Sequence, residues 1–102
     1  MDALPSNIEA EEAVLGSILI DQGKVLALQP ILTPEMFHVA RNGMIYAAIL
    51  DLDRQGKPPD LVVLTDYLEQ KGQLEEVGGP AFLTGLINAT PTEVLRNTYT
   101  VE

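Results

Sequence analysis

Proline and glycine cut this chain into short segments, and within each segment the apolar residues recur at the spacing of one helix face. That pattern is the strongest constraint on the fold. Pro30, Pro34, Pro58, Pro59, Pro80 and Pro91 cannot sit inside a helix without breaking its hydrogen bonds, so they mark starts and stops. Only 5% of the residues are aromatic and there is no Trp, so Leu, Ile, Val and Ala must fill the core. Packed helices suit such side chains better than a sandwich of sheets.

Read along the chain, Ser6 and Glu9 have the spacing of a capping box that opens a first helix from about Asn7 to Ile20. Ile8, Val14, Leu15, Ile18 and Leu19 form its apolar stripe, with Glu9 and Glu12 off it. Gly16 costs about 1 kcal/mol relative to alanine, so its presence predicts that a neighbouring helix comes close to the backbone. Val25, Leu26 and Leu28 predict a short second helix ended by Pro30, and Thr33-Pro34-Glu35 predicts a single turn. A long central helix is predicted from Val39 to Gln55, stopped by Gly56 and a stiff Lys57-Pro58-Pro59 connection. Asp60 is the expected cap of the next helix, which carries Leu61, Leu64 and Leu68 and ends at Lys71-Gly72. Leu74 folds back onto it. Pro80 opens a helix with Phe82, Leu83, Leu86 and Ile87, and Thr90-Pro91-Thr92-Glu93 repeats the start signal for a last one. The fold class expected is all-α, a compact orthogonal bundle of about six short-to-medium helices. The 102 residues are expected to form a single domain.

Composition narrows the function. Fifteen acidic residues against six basic ones give a formal net charge of -9, and the basic residues do not cluster along the chain. Phosphate backbones are bound by Lys and Arg, so direct contact with nucleic acid is disfavoured. The lack of Cys removes disulfides and a thiolate nucleophile, and no apolar run approaches the ~20 residues needed to span a bilayer. A cytoplasmic protein without a membrane partner is the expectation. Neither Gly23-Lys24 nor Gly56-Lys57 lies in a phosphate-binding loop, which needs a preceding glycine at fixed distance and a hydroxyl residue after the lysine. The single histidine, His38, stands at a helix junction and is read as a structural group that caps or hydrogen-bonds there. Glu9, Glu11 and Glu12 could be imagined as metal ligands, but three acids in the first turns of a helix are better explained by capping and the helix dipole. Gly78-Gly79-Pro80 reads as a turn, because Pro80 removes a donor that an anion site would use.

Several segments together resemble the N-terminal domain of bacterial replicative DNA helicases of the DnaB type. They are Asn7-Ile-Glu-Ala-Glu-Glu-Ala-Val-Leu-Gly-Ser-Ile-Leu19, Met36-Phe37-His38, Ile45-Tyr46-Ala47-Ala48-Ile49 with Leu52, Pro59-Asp60-Leu61-Val62 followed by Leu64 to Gly72, and Leu74 to Gly79 with Phe82-Leu83. The match runs nearly end to end. Thr90-Pro91-Thr92 resembles the family's entry into a helical hairpin, although Leu95 to Glu102 fits the usual continuation poorly beyond Tyr99. The resemblance implies a single helical N-terminal, or collar, domain over 1–102, with the start of a truncated hairpin helix at about 90–102 and the motor domain absent. It further implies a collar built as a trimer of dimers on a hexameric ring, with primase, the helicase loader and other helicase subunits as partners. On this reading the fragment is no enzyme and has no cofactor. ATP and magnesium belong to the motor domain of the ATP-dependent parent. Glu9 and Phe82 are the partner-binding positions carried over from the family, beside the plainer readings of a capping acid and a core side chain. The alternatives are an acidic helical adaptor unrelated to helicases, or a helical domain that contacts DNA directly.

Overall fold

In the computed structural model, which describes residues 7–90, five α-helices and one 3-10 turn pack around a core of aliphatic side chains. The helices are α1 (Ile8–Ile20), α2 (Lys24–Leu28), α3 (Ala40–Arg54), α4 (Leu61–Gln70) and α5 (Gly79–Asn88), with the 3-10 turn at Pro34–Met36. No strand occurs among the described residues. The helix expected after Thr90-Pro91 lies outside them. Also among the described residues, no helix is long and apolar enough to cross a membrane.

Local chemistry explains most boundaries. Asp60 accepts a 2.8 Å hydrogen bond from the Val63 N–H and so caps α4, as expected. Gly56 and Gly72 take the left-handed conformation just past α3 and α4. At α1 the expected capping box is displaced by one residue. Asn7 is the cap, extended at φ -138°, and its side chain accepts from the Ala10 N–H at 3.1 Å, which leaves Glu9 one position short of the reciprocal role. Thr33 occupies the cap position of the 3-10 turn but makes no side-chain capping bond.

The helices bury the stripes that periodicity assigned to them. Leu15, Ile18, Leu19, Ile45, Ile49, Leu52, Leu64, Leu68, Leu83 and Leu86 are all in the core. Ile8 and Leu26 are exceptions. Ile8, the first residue of α1, is more than half exposed, and Leu26 of α2 is 72% exposed. Tyr46 is fully buried, its hydroxyl donating to the Leu32 carbonyl at 3.1 Å and its ring packing against Phe37. A buried phenol finds an acceptor, and here it ties α3 to the segment before the 3-10 turn.

Gly16 has the role its position predicted. α1 and α5 cross there so closely that a Cβ on Gly16 would lie 2.1 Å from Thr90 Oγ1 and 2.4 Å from the Leu86 carbonyl oxygen. The Thr90 hydroxyl donates to that same carbonyl at 2.8 Å, which satisfies a buried polar group beside the crossing.

Candidate interaction surface

The acid that matters most to this fold is Glu11. Its position four residues before Leu15 and seven before Ile18 puts it on the buried stripe of α1, where it has no exposed surface. Its carboxylate accepts from the His38 N–H at 2.6 Å, the Val39 N–H at 3.3 Å and the Asn42 side-chain amide at 3.1 Å. Burial pushes this carboxyl up. The three hydrogen bonds and the His38 charge outweigh it, and the group settles below its ordinary value. Glu11 therefore holds the entry to α3, where main-chain donors and the positive end of the helix dipole favour an anion. The expectation that capping and the helix dipole explain Glu9, Glu11 and Glu12 is corrected for Glu11, which is spent on the interior. The signal was its register with Leu15 and Ile18. His38, expected to cap or hydrogen-bond at this junction, hydrogen-bonds there through its main-chain amide.

The two positions carried over from the family lie in separate arrangements that share no residue. Glu9 is exposed in the first turn of α1 and borders a shallow depression of about 330 Å³ with Asn7, Ala10, Ala13 and Ala89. Phe82 is half-buried in α5, packed against the core on one side. The Arg41 guanidinium of α3 covers its ring, 3.9 Å from the centroid. This cation–π contact joins two surface residues and is worth about 0.5–1 kcal/mol at an exposed site. Gly78 makes room for it. Its φ of 110° suits glycine, and a Cβ there would come within 2.8 Å of Phe82 Cβ. The plain reading of Phe82 as a core side chain is thus half met, and Arg41 is the neighbour that sequence reasoning missed.

A third polar cluster joins α3 to α4. The Tyr67 hydroxyl donates to the Asp51 carboxylate, Arg54 lies 3.8 Å from the other Asp51 oxygen, and Lys71 Nζ is 5.5 Å from the Tyr67 ring centroid. The Tyr67 hydrogen bond, helped by Arg54 and Lys71 and opposed by partial burial, keeps the Asp51 carboxyl below its ordinary value. The same bond pushes the Tyr67 phenol up to about 12. A proton held that firmly serves the α3–α4 contact and is unsuited to acid–base work near neutral pH.

Comparison with known proteins agrees with this architecture. The family "DnaB-like helicase N terminal domain" matches residues 3–101. The chain is 42% identical over 88 residues, 86% of its length, to the replicative DNA helicase DnaB of Geobacillus stearothermophilus, and equally to the replicative DNA helicase DnaC of Bacillus subtilis. It spans 19% of the length of each of these relatives. Its fold superposes on the crystal structure of the N-terminal domain of DnaB helicase from Mycobacterium tuberculosis with a TM-score of 0.83. The two are 33% identical, and the match covers 93% of this chain and 68% of that one. With its helices, its core and its sequence all in agreement, the chain belongs to the DnaB-like helicase N-terminal domain family.

Proposed function

We propose that this chain works as a non-catalytic protein-interaction domain of a hexameric replicative DNA helicase, contributing to the collar and docking primase and the helicase loader during DNA replication. The observation that carries the reading is the agreement in fold and sequence with the N-terminal domain of DnaB over 93% of the chain. Two further features support it. Glu9 and the Arg41–Phe82 stack stand at the surface, where a partner can reach them. Inside, the Glu11 carboxylate is occupied in joining α1 to the start of α3. ATP and magnesium would be handled by a separate motor domain.

Titration with the C-terminal domain of primase tests this. Binding to the chain alone is expected to be weak, and to strengthen when the family's helical hairpin is appended. Glu9→Lys and Phe82→Ala are expected to weaken it while the helical circular dichroism persists. Absence of binding even with the hairpin present would overturn the docking role.

A further inference from the structure

Val62 is 76% exposed on α4, whose Leu64 and Leu68 are fully buried. A valine on the wet side of a helix gains no burial and has poorer helix propensity than lysine or glutamate, and it carries information only as part of a patch. It does not stand alone. Val62, Leu61 and Thr65 and, from α5, Pro80 and Thr84 line an open groove of about 350 Å³ whose surface is mostly apolar. Asp66 and Glu69 line it as well. Glu69 also borders the adjoining depression with Glu75, so the carboxylates continue beyond the groove. No Lys or Arg lines either depression among the described residues.

An apolar strip bordered by one sign of charge fits an occupant that carries aliphatic side chains on one face and the opposite charge beside them. Two neighbouring helices offer such a strip as a furrow into which a third helix can lie, read through anchors at i, i+4 and i+7. We infer that the α4–α5 groove docks a basic amphipathic helix of a partner protein, its aliphatic residues seated on Leu61, Val62 and Pro80 and its lysines or arginines facing Asp66 and Glu69. This surface is distinct from Glu9 and from the Arg41–Phe82 stack, and the assignment goes beyond primase docking.

The test uses the 102-residue chain and a synthetic helical peptide with leucines at i, i+4 and i+7 flanked by lysines, beside a twin with glutamates in place of the lysines. The lysine peptide is expected to bind more weakly as salt rises and to shift the amide resonances of Val62, Asp66 and Glu69. Val62→Asp and Glu69→Lys should each weaken it about tenfold. Leu26→Asp, at a residue 72% exposed that borders a different depression, should leave it unchanged. Both Val62 and Leu26 lie outside the core, so the variants should keep the native circular dichroism. Equal binding of the glutamate twin, unaltered affinity in Val62→Asp, or shifts confined to another surface would overturn the inference. The assay contains no primase, so its result and that of the primase titration stand or fall separately.

Discussion

Glu11 concentrates more structural consequence than any other charged residue described. Its replacement by alanine would leave two partly buried main-chain N–H groups and the buried Asn42 amide without their acceptor. A loss of about 2–4 kcal/mol is expected for Glu11→Ala, read as a fall in the urea midpoint, and a smaller one for Glu11→Gln, which keeps an acceptor oxygen. The pH dependence has a definite sign. Because the folded state holds this carboxyl below its ordinary value of 4.5, its contribution is complete above that pH and is lost as pH falls through the depressed value. Glu11→Gln should therefore flatten the acid limb of the stability profile. At Tyr67 the direction reverses. The folded state retains the phenol proton up to about 12 against an ordinary 10.0, so its contribution is intact below 10.0 and declines as pH rises from there. Asp51→Asn should return the Tyr67 titration toward 10.0, followed by ultraviolet absorbance of the phenolate.

Two glycines on the α1–α5 pair make opposite predictions. Gly16→Ala gains helix propensity but drives a methyl into the Leu86 carbonyl and Thr90, and overpacking of about 1–3 kcal/mol should prevail. Gly85→Ala meets nothing within 4 Å and should stabilise the domain by about 0.5–1 kcal/mol. Thermal unfolding of the two variants distinguishes them by sign. The close crossing at Gly16 was legible because a glycine inside an apolar stripe has few other uses. The starts and stops of α3, α4 and α5 were legible for a similar reason, since Asp60, Gly56, Gly72 and Pro80 act on the backbone within a few residues of themselves. The register of Glu11 with Leu15 and Ile18 marks its burial, but its partners were not legible, since His38 and Val39 are 27 and 28 residues away and no local rule pairs them. The Arg41 stack on Phe82 escaped notice for the same cause. The partner-binding role of Glu9 and Phe82 came from resemblance to a family, and nothing in their spacing alone points to that role.

Taken whole, the molecule carries a formal charge of -9, with its few cations partly engaged on its own surface, Arg41 over Phe82 and Arg54 beside Asp51. Single-stranded DNA should show no measurable affinity for the chain in low-salt fluorescence anisotropy. Tight binding that falls steeply with added salt would favour the DNA-contact alternative. The same acidity should draw cationic helices toward the surface from a distance before any apolar contact forms. The Glu11 clasp also gives the domain a built-in gauge. Since the His38 and Val39 amide protons are shielded only while one helix rests its acid against the doorway of another, their exchange into heavy water would time how often the first helix lifts away.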